Sequence, residues 1–158
     1  MNATFENATL KPRENAAAKE VQLATFYLGD LLLGLDISLV QEINRQLNVT
    51  TAPHAPDYVR GVVNLRGEVV TLIDLRAVLG LPPAVDSGNA RNLIVHWKNE
   101  LVGLLVDRIA DILTIPTDAI DDPPANVGGV AGAFFRGVYS TKTEIVVVLD
   151  PHEVLNRE

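Results

Sequence analysis

Apolar residues come in short runs broken by Gly, Pro, Asn and Asp, the pattern of strands and turns rather than of long helices. Val21–Leu28, a Gly29-Asp30 turn and Leu31–Ile37 predict a hairpin. Its second arm is apolar at nearly every position, as expected of a strand covered on both faces. Ser38 is placed as the N-cap of a short helix, SLVQEINRQ, with Leu39, Val40 and Ile43 as its apolar stripe. Asn48–Pro53 reads as extended, and the prolines at 53 and 56 mark a loop. Val59–Leu65 and Glu68–Ile73 predict strands joined at Arg66-Gly67, and Asp74 caps a short helix that stops at Gly80.

After a polar linker at 84–91 the plan recurs. Leu93–Lys98 and Leu101–Val106 predict a hairpin around Asn99-Glu100. Asp107–Leu113 corresponds to the first helix, although its apolar content also suits a strand. Gly132–Ser140 and Glu144–Leu149 predict strands. Asp150-Pro151-His152-Glu153 opens a final helix, with Asp as N-cap and Pro at the first helical position.

The recurrence is visible residue by residue. RGVVNLRGEVVTLIDLRAVL at 60–79 aligns without a gap on RGVYSTKTEIVVVLDPHEVL at 136–155, with eight of the twenty positions identical. Arg60/Arg136, Gly61/Gly137, Glu68/Glu144 and Asp74/Asp150 are among them, and apolar composition alone gives no reason for those matches. Asp30–Ile43 also aligns on the segment from Glu100, with Gly34 over Gly103 and Ile43 over Ile112. Such a period suits two small fused β units rather than a solenoid.

Composition narrows the function. The 158 residues are 47% hydrophobic, enough for a real core. No Cys is present, which removes disulfides and thiolate metal sites and fits a cytoplasmic location. A net charge of −7 argues against nucleic acid or an anionic membrane as partner, and no apolar run is long enough to span a membrane. Residues 1–20 show little periodicity and are expected to form a flexible tail.

Catalytic templates fail in turn. None of Ser38, Ser87 and Ser140 sits in a nucleophile elbow, and His54, His96 and His152 are too scattered for a metal-binding pair. The glycines at 128, 129 and 132 lack the Lys-Ser/Thr ending of a phosphate loop. The expectation is therefore no catalytic residue, no metal and no cofactor. Arg66 stands out because a hairpin tip does not need an Arg. Phe134-Phe135 stand out because adjacent strand residues face opposite ways. One belongs in the core, and the other is a candidate interface anchor.

At these stretches the chain resembles the CheW family of bacterial chemotaxis coupling proteins. FYLGD, LLGLDI and VQEI (26–43), YVRGVVNLRGEVVTLIDLR (58–76), LVGLLVDRIADIL (101–113) and VVLDPHEVL (147–155) carry the likeness, which covers roughly 20–157. It implies a mainly β fold of two SH3-like five-stranded barrels, here about 21–90 and 91–158, with strands free to exchange between the halves. It also implies a non-catalytic adaptor at receptor arrays on the inner face of the membrane. Its expected partners are the cytoplasmic tip of a methyl-accepting chemoreceptor and the regulatory domain of a CheA-type histidine kinase. By motif, Glu42 and Arg66 resemble the family's acid–base pair at the receptor groove. Val40, Ile43, Gly61 and Asn64 fall in the same region, and Ile112 is the wall contributed by the second half. The kinase-facing surface is placed loosely on the second barrel, around Phe134 and Phe135. The span of the chain is expected of a free-standing adaptor rather than of a kinase domain excised from its chain. An adaptor for a related chemosensory pathway, such as pilus motility, is a second reading. A small-molecule-binding double barrel is a third, and it requires a pocket of convergent polar groups.

Overall fold

The computed structural model describes residues 19–45, 48–84 and 88–156. Apart from Lys19 and Glu20, the expected tail lies outside them, and Glu20 already belongs to the first strand. In chain order the strands of the first half are β1 (Glu20–Leu28), β2 (Leu31–Asp36), β3 (Val40–Asn44), β4 (Val59–Leu65) and β5 (Glu68–Asp74), followed by helix α1 (Leu75–Leu79). The second half has β6 (Arg91–Trp97), β7 (Glu100–Val106), β8 (Arg108–Pro116), a two-residue hairpin of β9 (Asn126–Val127) and β10 (Val130–Ala131), β11 (Phe135–Ser140), β12 (Ile145–Leu149) and helix α2 (Pro151–Leu155).

Two five-stranded sheets result, ordered β11-β12-β2-β1-β8 and β4-β5-β7-β6-β3. The N-terminal hairpin β1-β2 therefore joins the C-terminal strands, and the middle hairpin β6-β7 joins β4 and β5. Each exchange is made by a parallel pairing, β12 on β2 and β5 on β7. In neither sheet are the two outer strands hydrogen-bonded to each other among the described residues, so the barrels are open.

The internal repeat is a repeat of structure. A shift of 76 carries Leu72 onto Val148, and a shift of 69 carries Gly34 onto Gly103; the parallel partners are Leu72↔Gly103 and Val148↔Gly34. The β4–β5 irregularity between Val59 and Gly61 recurs in β11–β12 between Phe135 and Gly137. Even the isolated bridges match, Thr50 with Val62 and Asp121 with Val138. Gly61 and Gly137 make room for them. A Cβ at Gly61 would lie 2.3 Å from the Thr50 carbonyl oxygen, and one at Gly137 would lie 2.4 Å from that of Asp121.

Strand alternation feeds three apolar clusters. Phe26, Leu33, Leu93, Leu104, Val147 and Leu149 belong to the large core shared by both sheets and both helices. Leu32, Val146 and Val148 face a smaller cluster in one subdomain, and Val70, Leu72 and Ile94 face another in the second. Central strands are thus covered on both sides, which explains their unbroken apolar runs. Deleting a buried side chain such as Leu104 would cost about 2–5 kcal/mol.

Both helices begin where the sequence places them. The Asp74 carboxylate accepts from the Arg76 N–H at 3.0 Å, and Asp150 does the same for His152 at 2.9 Å. Gly80 closes α1 in the left-handed conformation, φ 80°. At equivalent positions in the helices, Arg76 and His152 each reach a hairpin of the other sheet. Arg76 binds Asp107 through contacts of 3.0 and 2.6 Å, and Asp107 also accepts from Gly29 N–H in the β1–β2 turn. His152 meets Trp97 edge-on, with centroids 4.9 Å apart.

The helix expected to begin at Ser38 is not formed. Asp36, not Ser38, caps a single 3-10 turn at Ile37–Leu39, and β3 follows it directly. Pairing with β6 overrides the local pattern. Of the segment 107–113, residues from Arg108 onward resolve as strand, in β8, the alternative its apolar content suited.

Candidate functional site

The β4–β5 tip is a two-residue turn. Arg66 and Gly67 both have positive φ, 52° and 87°, and the Asn64 side-chain oxygen accepts from Gly67 N–H at 2.9 Å. Such turns favour Asn or Gly at the first position, and a long side chain there is conformationally costly. The guanidinium has a use that offsets this. It donates to the Glu42 carboxylate on β3, so the pair spans the two outer strands of one sheet. The Arg66 side chain is 68% exposed and that of Glu42 21%, so the bridge is a surface feature worth under about 1 kcal/mol to the fold.

Around this pair the structure distributes the other candidate residues unevenly. Ile43, next to Glu42, is 44% exposed and turned away from the core. Val40 is half-buried and packs against the shared core. Gly61 is buried, and its room is taken by the Thr50–Val62 bridge, so its role is to let that segment close on β4. Val69, paired across the strands with Asn64, is 69% exposed and was not singled out from the sequence. Two adjacent valines with only one inside were the available signal. Ile112 is exposed as well, but it stands on β8, the outer strand of the other sheet, which does not neighbour β3 in either sheet.

Phe134 and Phe135 do not form an exposed anchor with a buried partner. Phe135 is buried in the shared core, and Phe134, in the 3-10 turn Gly132–Phe134, is half-buried against it. The backbone turns between the two, so strand alternation does not apply to them.

The second half ties its hairpin tip by other means. Lys142 and Asp111, which the repeat aligns with Arg66 and Glu42, form no ion pair among the described residues. Instead the Tyr27 hydroxyl donates to Glu144 at 2.6 Å, and Arg108 lies over the Tyr27 ring at 3.7 Å. That hydrogen bond raises the Tyr27 pKa above its ordinary value. No group of three His, Asp or Glu converges on a metal position among the described residues, and no helix is long and apolar enough to cross a membrane.

Residues 22–158 match the CheW-like domain family. The chain belongs to that family. It is 32% identical over 142 residues to the chemotaxis protein CheW of Treponema pallidum (strain Nichols), covering 87% of this chain and 84% of that one. It is 34% identical over 137 residues to the chemotaxis protein CheW of Rhizobium meliloti (strain 1021), covering 87% and 88%. Among solved structures, the scaffolding protein TtCheW of Thermoanaerobacter tengcongensis matches with a TM-score of 0.80 and 27% identity, over 89% of this chain and 95% of that one. The two exchanged sheets are thus the two SH3-like subdomains of a CheW-like protein.

Proposed function

We propose that this chain, a chemotaxis coupling adaptor by its family, joins a methyl-accepting chemoreceptor tip to the regulatory domain of a CheA-type histidine kinase and catalyses no reaction itself. Its place of work is the receptor array on the inner face of the membrane. The observation that carries the receptor half of this reading is the Arg66–Glu42 bridge, built on a left-handed arginine that the turn itself does not require. A receptor tip is helical, so its contact is helix-in-groove, with apolar anchors set beside a polar clasp. Ile43, Val69 and the Arg66–Glu42 pair supply such a surface, with Asn64 fixing the tip, and Ile112 is the wall from the other subdomain. Val40 and Gly61 support this surface from beneath. The kinase contact lies elsewhere, on the outer β surface of the second half around exposed Ile145 rather than at buried Phe135 and half-buried Phe134.

Ile43→Asp tests this separation. The residue is exposed, so the variant folds, yet a carboxylate facing an apolar contact weakens it. Titration with a receptor tip should show at least about a tenfold loss, while affinity for the kinase regulatory domain changes less than about threefold. Unchanged receptor affinity, or parallel loss of both partners, would count against the two-site arrangement.

A further inference from the structure

The two open sheets are fastened by different chemistry. In one, Arg66 of the β4–β5 tip reaches Glu42 on outer strand β3. In the other, the β11–β12 tip offers an acid instead. Glu144 accepts from the Tyr27 hydroxyl at 2.6 Å, and the Tyr27 ring lies under the guanidinium of Arg108, its cross-strand partner on outer strand β8, at 3.7 Å. Three side chains thus link one outer strand to the hairpin that carries the other, β11. The links are a charge-assisted hydrogen bond and a cation over an aromatic face.

The repeat shows that the fold does not require this tie. A shift of 69 carries Tyr27 onto His96, and a shift of 76 carries Glu68 onto Glu144. The His96 and Glu68 side chains form no hydrogen bond or ion pair among the described residues. The same barrel therefore folds without a tie at these positions, which leaves the tie in the second half free for another use.

What it fixes is the tip. The Thr141 side-chain oxygen accepts from the Thr143 and Glu144 N–H groups at 3.2 and 2.9 Å, so residues 141–144 move as one body. Among the described residues, Glu144 alone ties that body to another strand through its side chain. Ile145 follows directly, exposed at the start of β12. Val69, its counterpart under the shift of 76, is exposed too, so these apolar residues do not tell the two faces apart, whereas the ties do. We propose that Tyr27 is a positioning residue for the kinase contact, an assignment that rests on that contact lying around Ile145: through Glu144 it holds the β11–β12 tip, and Ile145 with it, in the orientation that the kinase regulatory domain meets. A tip already held loses less freedom on binding, so the tie acts on affinity rather than on the fold.

Titration of the full chain with the kinase regulatory domain and with a receptor tip tests this, with thermal melts alongside. Tyr27→Phe removes one hydroxyl and keeps the ring beneath Arg108 and against its apolar cluster. It should weaken kinase-domain binding at least about fivefold, leave receptor affinity within about twofold, and move the melting temperature by less than about 2 °C. Glu144→Ala should match it, and the double variant should be no weaker than either single one, because each breaks the same tie. Glu144→Gln, whose amide oxygen still accepts from Tyr27, should bind within about twofold of the unaltered protein. Unaltered kinase affinity in Tyr27→Phe, additive losses in the double variant, or an equal loss of receptor affinity would overturn the proposal. So would Glu144→Gln as weak as Glu144→Ala, which would make Glu144 a direct charge contact. Ile145→Asp separates the proposal from the reading beneath it, and should lose kinase binding at least about tenfold. Unaltered affinity there would overturn the placing of the kinase contact and this proposal with it. Loss there beside unaltered binding by Tyr27→Phe would overturn this proposal alone.

Discussion

Asp107→Asn should weaken the fold by an amount that depends on pH in a defined way. Asp107 joins three elements: its carboxylate takes two contacts from Arg76 of α1 and one from Gly29 N–H in the β1–β2 turn. The Arg76 hydrogen bond holds its pKa below the ordinary carboxylate value, with the Gly29 N–H adding to this against the cost of burial. Asparagine retains an acceptor for Gly29 but leaves the Arg76 charge unpaired. Loss of one partner costs about 3–5 kcal/mol in a buried pair and under about 1 kcal/mol in an exposed one. Side-chain exposures of 14% for Arg76 and 23% for Asp107 place this pair between those limits, at about 2–3 kcal/mol. For a chain of this size that is a fall in melting temperature of about 4–10 °C. Because the folded-state pKa is depressed, the carboxylate's contribution is complete above the unfolded value of about 3.9 and is lost as pH falls through the lower folded value. Urea and thermal unfolding of both proteins at several pH values should therefore show a constant gap from about pH 8 to 5 that narrows below about pH 4. A gap under about 1 °C at neutral pH, or one equally wide near pH 2.5, would refute the reasoning.

Gly61→Ala and Gly137→Ala should each cost about 2–4 kcal/mol, through overpacking and loss of the adjacent bridge, since the new Cβ would meet the carbonyl oxygen of Thr50 or Asp121; denaturant melts should show the larger shift for Gly61→Ala, because φ there is 147° and only glycine adopts it without strain. Arg66→Gly should change stability by less than about 1 kcal/mol, because relief of the left-handed backbone offsets the lost surface bridge. Receptor-tip affinity, measured by titration, should nevertheless fall at least about tenfold in that variant.

The strands flanking the repeat were legible because their apolar runs serve two cores at once, and both short helices because Asp74 and Asp150 announce their caps. Exchange of β1-β2 and β6-β7 between the sheets was not legible as pairing, since nothing local distinguishes a swapped hairpin from an unswapped one. β3 was misread for a more instructive reason. Its more covered positions, Val40, Glu42 and Asn44, include an acid and an amide, while apolar Ile43 points outward. Alternation is present but inverted, because Glu42 on the more covered face holds Arg66. Sites that bind something break the local hydrophobic rule. Arg66 was recognisable as an anomaly from its turn position, and its partner Glu42 only through the family motif. Of the Phe134-Phe135 pair, Phe135 is the expected core residue, but Phe134 is half-buried rather than exposed, because a 3-10 turn interrupts the alternation.

The most direct test of the coupling role is kinase autophosphorylation, assayed with a CheA-type kinase and receptor-containing membranes of the same organism. Adding this protein should change the rate of phosphorylation when receptor is present and leave it unaltered when receptor is omitted, with no ATP turnover by the protein alone. A rate that is the same with and without the protein in the presence of receptor, or turnover by the protein itself, would contradict the account.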